Sequence, residues 1–257
     1  RCAALIMTVP LLSTRAVSRV AKIALAGYIA FIAYPIAFND LWQTEQYKAA
    51  EGLFNGAFTL QYIMLLIGEV MIGVITGFYV SIIFSAFSSA GQFFTFQMGF
   101  GASEVYDSLS QVENPLMGQY LNLIAMIVFI QVKGFQNLFL GGIFRSFGTI
   151  NAFTLVNHRD QFLSFMLTSL SSLFFDAMLI ALPMVGTLFL VTVTMGILSK
   201  AAPQMNLLSE GLPITIITAF FLLTLILPHM VDFFIQSFDR AFIKLENLFA
   251  LTGTVQL

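Results

Sequence analysis

The sequence predicts an all-α integral membrane protein made of long, broken helical hairpins. Three observations carry that expectation. Of the 257 residues, 58% are hydrophobic and only 9% are charged, well outside the usage of soluble domains. Uncharged runs recur along the chain, at Ile23–Asn39, Gly52–Gly68, Val70–Ser103, Asn114–Val132, Ala177–Ser199 and Gly211–Val231, and about 20 apolar residues suffice to cross a bilayer as a helix. Glycine- or proline-marked breaks separate one apolar segment from the next, which reads as helical hairpins.

Residues 2 to 12 read as the tail of an apolar segment, closed by Pro10. Arg15, Arg19 and Lys22 follow without an acid between them, which marks a cytoplasmic turn by the positive-inside rule. From Lys22 an apolar helix is expected to about Phe38, and then an acidic outer loop with Asp40, Trp42, Glu45, Tyr47 and Glu51. The third segment, Leu53 to about Phe87, exceeds one span, so it either tilts and projects or breaks near Gly68, Gly73 or Gly77. Gly73-x-x-x-Gly77 is also a small-xxx-small pattern that lets another helix come close.

Next comes a glycine-started acidic stretch, Gln97 to Pro115, with Pro115 placed to restart a helix. A fourth segment runs from Leu116 to about Phe144, interrupted at Lys133-Gly134, and a polar connection spans Arg145 to Asp160. Gln161 to Lys200 is again too long for one simple span, and Pro183 with Gly186 offers a kink. Ala201 to Asn206 breaks it, and Leu212 to about Phe238 forms the last segment, ahead of an amphipathic tail. This order strains a simple topology: one crossing by the third segment would put the cation-free 97–115 loop inside. Either the chain turns back early near Gly68, or some apolar helices are buried by other proteins and not by lipid.

Composition excludes several functions. A formal charge of −2 argues against a nucleic-acid footprint. Cys2 is the single cysteine, so neither an intrachain disulfide nor a Cys-rich metal site can form, and it reads as a small apolar filler. The chain opens on Arg1 and not on methionine, so no signal peptide is assigned. No His-Glu-x-x-His, Gly-x-Ser-x-Gly, phosphate loop or CxxC pair is present, and His158 and His229 stand alone, so neither an enzyme nor a cofactor or metal site is expected.

Charges inside apolar segments are the next candidates, because a bare charge in the bilayer costs several kcal/mol. Glu69, Lys133 and Asp176 qualify, either as ion sites of a proton-coupled secondary transporter or as interhelical and intersubunit charge partners. The aromatic stretch from Phe93 to Phe100 is either a packed helix end or the lining of a constriction. Gly99 and Gly101 allow a sharp turn into the acidic loop, and a polar loop at membrane depth survives only in protein or in a wet cavity.

Several strings then coincide with one family. RCAALIMTVPLLSTRAVSRVAKIAL at 1–25, GQFFTFQMGFGASE at 91–104 and ALPMVGTLFLVTVTMGILSKAAPQMNLLSEGLP at 181–213 fall in the family's order. The chain resembles the FliR/SctT family of type III secretion export-gate proteins over its whole length, more the flagellar than the injectisome branch in its Ser209-Glu210-Gly211-Leu212-Pro213 ending. Ser18, Asp107-Ser108 and Lys133-Gly134-Phe135 depart from the usual pattern.

The resemblance implies a single export-gate domain over 1–257, FliP-like to about residue 160 and FliQ-like from about 161. It implies one such subunit joined with several copies of FliP and FliQ in a helical cone at the flagellar basal body of the bacterial inner membrane, beside FlhB, passing unfolded flagellar proteins. It implies a pore plug near 100–114. Phe96, Met98 and Phe100 would seal, Gly99 and Gly101 would hinge, and Glu104, Asp107 and Glu113 would keep the loop hydrated. Pro203, Gln204, Asn206, Gly211 and Pro213 would be an architectural motif at a hairpin break, and Glu69, Lys133 and Asp176 would be charge partners.

Overall fold

The computed structural model describes residues 1–14, 16–40, 60–99, 116–202 and 210–252. Among them there is no strand. The helices are α1 (Cys2–Thr8), α2 (Pro10–Ser13), α3 (Arg19–Asp40), α4 (Leu60–Gln97), α5 (Leu116–Gln131), α6 (Gly134–Asn137), a π-helical stretch Leu138–Phe144, α7 (Arg145–Thr149), α8 (Ala152–Asn157), α9 (Arg159–Ala201) and α10 (Leu212–Thr252). Helices α4, α9 and α10 are each long and apolar enough to cross a membrane, and the bent pair Leu116–Gln131 with Gly134–Thr149 makes a candidate fourth span. The protein is an all-α membrane protein.

Of the two alternatives for the third segment, the break near the glycines is absent: helix α4 runs through Gly68, Gly73 and Gly77 without interruption. Pro183 lies inside a single 43-residue helix, α9. The amphipathic tail is likewise the continuation of α10, past Pro228, to Thr252. The expected interruption at Lys133-Gly134 is present: Lys133 takes left-handed backbone angles, φ 55°, and ends the α5 run. Gly134 is required there, since a Cβ would stand 2.5 Å from the Phe129 ring.

The chain forms two compact units. The first comprises Arg1–Ile83, Phe129–Ser171 and Ser237–Leu257. Its core gathers Ile72 and Tyr79 of α4, Ile150, Phe162 of α9, and Leu245 and Phe249 of α10. The glycines of α4 act as seats. A Cβ on Gly73 would meet the Arg1 carbonyl, one on Gly77 would meet Thr8 Oγ1, and one on Gly68 would lie 2.6 Å from Ala152 Cβ. Thus α1 lies along the Gly73-x-x-x-Gly77 face, and Ser81 Oγ of α4 donates to the Thr8 carbonyl at 2.8 Å. Close backbone approach offsets the roughly 1 kcal/mol per glycine that helix propensity costs.

The second unit comprises Phe84–Val128 and Ser172–Gln236. Phe87, Phe94 and Met98 of α4, Leu121 and Ala125 of α5, Ala177 and Leu188 of α9, and Ala219 and Phe234 of α10 are fully buried. The Phe87 and Phe234 rings pack with centroids 3.9 Å apart. Gly91 of α4 and Gly118 of α5 meet backbone to backbone: a Cβ on Gly91 would be 2.5 Å from the Gly118 Cα.

Candidate functional site: the glycine-ended tip of α4 and the buried arginine

In the second unit α4 ends at a glycine stop. The Met98 N–H bonds the Phe94 carbonyl at 2.9 Å and the Gly99 N–H bonds the Phe96 carbonyl at 3.2 Å. Gly99 then takes φ +84°, the left-handed conformation that ends helices and that glycine adopts without strain. A Cβ here would also lie 2.5 Å from Leu212 Cδ2, so the stop abuts the first residue of α10. This brings Gly99 beside the Gly211-Leu212-Pro213 stretch.

The side chains at this tip divide sharply. Met98 is 0% exposed, whereas Phe96 is 68% exposed. Met98 is therefore part of the unit's core, and Phe96 presents its ring outward. Gly211 is buried, a Cβ there would lie 4.0 Å from Met195 Cε, and Thr215 Oγ1 donates back to the Gly211 carbonyl at 2.7 Å. Pro213 is exposed at the second position of α10, where its missing N–H costs no hydrogen bond. Phe100, Gly101, Glu104, Asp107, Glu113, Pro203, Gln204 and Asn206 lie outside the described residues.

The three candidate charges do not converge. In the first unit Glu69 on α4 pairs with Arg1, whose side chain is 1% exposed against 23% for Glu69. All five guanidinium N–H groups find acceptors: Nε and Nη2 grip the two Glu69 oxygens, Nη1 bonds the Ser146 carbonyl at 2.6 Å and Ser146 Oγ at 3.3 Å, and Nη2 also bonds the Ile150 carbonyl. The Phe147 ring sits 4.5 Å from the guanidinium carbon. One buried arginine thus ties α1, α4 and α7 together. Sequence reasoning did not pair it with Glu69, 68 residues away; the signal was an arginine facing an otherwise apolar first turn.

Lys133, by contrast, is exposed at the left-handed break and is not paired with Glu69. Asp176 is half-buried on α9 in the second unit. His158 is half-buried and His229 exposed, and no cluster of three or more His, Cys, Asp or Glu side chains able to hold a metal occurs among the described residues.

Comparison with known proteins gives a coherent result. The family model "Bacterial export proteins, family 1" matches residues 1–241. The chain is 29% identical over 98% of its length to the flagellar biosynthetic protein FliR of Bacillus subtilis, covering 93% of that protein. It is 34% identical to FliR of Borreliella burgdorferi over 58% of the chain and 56% of that protein. It is also 30% identical to the surface presentation of antigens protein SpaR of Shigella flexneri, over 62% of the chain and 60% of SpaR.

Proposed function

Because the chain belongs to the bacterial export proteins, family 1, we propose that this type III export-gate subunit serves the flagellar apparatus. In this reading it assembles in the bacterial inner membrane with several copies of FliP and FliQ into a helical cone, with FlhB beside it, and lines the channel for unfolded flagellar proteins. Residues 1 to about 160 form its FliP-like part and the remainder its FliQ-like part. The observation that carries the reading is the similarity to a flagellar FliR that runs almost end to end through both proteins. The role is structural and gating, with no bond made or broken.

The segment from about 100 to 114 is the plug. Support comes from the residues that lead into it. The left-handed Gly99 stop ends α4 with Met98 held in the core and Phe96 turned outward, so a fixed stem precedes a segment carrying Glu104, Asp107 and Glu113. A polar plug stays hydrated in a wet pore and can be displaced by substrate, whereas an apolar one would bind its walls. Gly99 and Gly101 hinge it, Phe96 and Phe100 form the hydrophobic seal, and the buried Met98, expected in that seal, instead anchors the stem behind it. Pro203 breaks the hairpin next to Gly211 and Pro213, and the side-chain amides of Gln204 and Asn206 satisfy the backbone groups it releases.

Two measurements test this. Native mass spectrometry of the tagged protein, extracted in mild detergent from cells expressing its neighbouring export genes, should find one copy in a large complex with FliP and FliQ homologues; a monomer or homodimer sinks the proposal. Deleting residues 103–112 should make the cells leak small solutes, and an unchanged permeability would remove the plug assignment. The relation to SpaR supports a second reading, the equivalent injectisome subunit. A proton-coupled transporter fits less well, since Glu69 is gripped by an arginine with no donor to spare.

A further inference from the structure

One groove in the first unit is absorbed by none of this. It lies between the first turns of α9 and the last turns of α10, has a volume of about 620 Å³, and is floored by Phe165 and Leu248. Phe165 is anchored below by the Tyr79 ring at 4.8 Å, so the floor is part of the core. The rim is polar, with Gln161, Ser164 and Thr168 on α9 facing Lys244 and Asn247 on α10. Spacings of three and four residues put each set on one helix face.

The rim's hydrogen-bonding capacity is unspent. Ser169, Thr187, Thr192, Thr194 and Ser199 of α9 all turn their hydroxyls back onto a carbonyl of the preceding turn. Ser164 and Thr168 do not, and neither they nor Gln161, Lys244 and Asn247 have a side-chain partner among the described residues. The rim's two charges are also unequal, because Asp160 sits 3.6 Å from Arg159 while Lys244 has no counter-ion among the described residues. Leu251 stands 69% exposed at the open end.

We propose that this groove docks an acidic, extended peptide segment of another protein chain. The exposed Leu251 and the Phe165–Leu248 floor take an apolar side chain, Lys244 takes a carboxylate, and the hydroxyls and amides bond the backbone, which gives affinity without demanding a particular neutral side chain. A lipid acyl chain is disfavoured, since it would leave five polar side chains unpaired. The site is independent of the plug.

A labelling experiment decides it. Cys2 is buried, so a membrane-impermeant maleimide reports an introduced thiol. Ser164→Cys should label at least tenfold more slowly in the assembled export complex than in the isolated subunit, either in detergent or in phosphatidylethanolamine–phosphatidylglycerol vesicles. Adding Lys244→Glu should restore fast labelling, whereas Lys244→Arg should not. Suppressors of a Lys244→Glu export defect should convert an acid to a base in a different protein chain. Equal labelling of complex and isolated subunit would overturn the proposal. So would protection of the isolated subunit in vesicles alone, which identifies lipid as the occupant.

Discussion

Arg1 shows how much one side chain can hold in a chain with few polar groups. Its five donors are all engaged, with Glu69, Ser146 and the Ile150 carbonyl as acceptors, and its carboxylate partner is mostly buried. Removing one member of such a pair leaves the other charge desolvated, which typically costs about 3–5 kcal/mol. Arg1→Ala should therefore lower the Tm of the detergent-solubilised protein markedly. Arg1→Lys, with a point charge and no fork, should recover only part of the loss. An unchanged Tm in Arg1→Ala would show that the pair adds nothing to stability. Gly99 makes a second residue-scale case. Gly99→Ala meets both a left-handed backbone, about 1–2 kcal/mol, and a Cβ placed 2.5 Å from Leu212 Cδ2. Adding Leu212→Ala removes the clash but not the backbone strain, so the double variant should regain less stability than Gly99→Ala loses beyond the effect of Leu212→Ala alone. Full recovery in that cycle, read by thermal melts, would mean that the left-handed angle costs nothing.

At the scale of elements, glycines of one type do opposite things. Gly73 and Gly77 seat α1, and no Cβ fits between them and Arg1 or Thr8, whereas Gly27, Gly186 and Gly196 face open space. Gly77→Leu should lift α1 off α4, seen as faster hydrogen exchange over residues 2–13. Gly196→Ala in α9 should leave that exchange alone and raise stability by about 0.5–1 kcal/mol, the helix propensity gained. Equal exchange over residues 2–13 in both variants would remove the seat. The same contrast explains what was legible in the sequence. Hydrophobic runs located α3, α4, α5, α9 and α10, and Lys133-Gly134 marked a true break. The Gly73-x-x-x-Gly77 spacing offered a seat as well as a hinge, and the sequence could not decide between them, because that depends on α1 and Ala152, which are remote in the chain. Nor did Pro183 end α9, since a proline removes only one backbone bond from a 43-residue helix. At the candidate site, Gly99 was legible because a helix stop is a local property. The Arg1–Glu69 pair was not, because it joins positions 68 residues apart.

At the scale of the whole molecule, exposed apolar surface exceeds what a bilayer can cover. Along α9, Leu163, Leu167, Leu170, Phe174, Phe175, Leu182, Phe189, Leu190 and Ile197 are all exposed. From the first to the last they span roughly 50 Å at about 1.5 Å per residue. A hydrocarbon core about 30 Å thick would contain that length only if the helix tilted by more than 50°, beyond the range of about 0–40° that membrane helices adopt. In the most apolar windows of α9 and of α10 only 22% of residues are buried within the chain, against 56% in α4. In the proposed assembly, lipid would cover part of these two helices and protein neighbours the rest. Expressed without its neighbouring export genes, the chain should accordingly be short-lived. A pulse-chase in cells should show its half-life lengthening severalfold when those genes are co-expressed, since a partner that binds only the folded chain stabilises it by mass action. Replacing exposed Phe174, Phe175 and Phe189 with serine should then shorten the co-expressed half-life while leaving that of the lone chain unchanged or longer. A lone chain as long-lived as the co-expressed one would mean that lipid covers the whole 50 Å face, and the case for protein neighbours on α9 would fall with it.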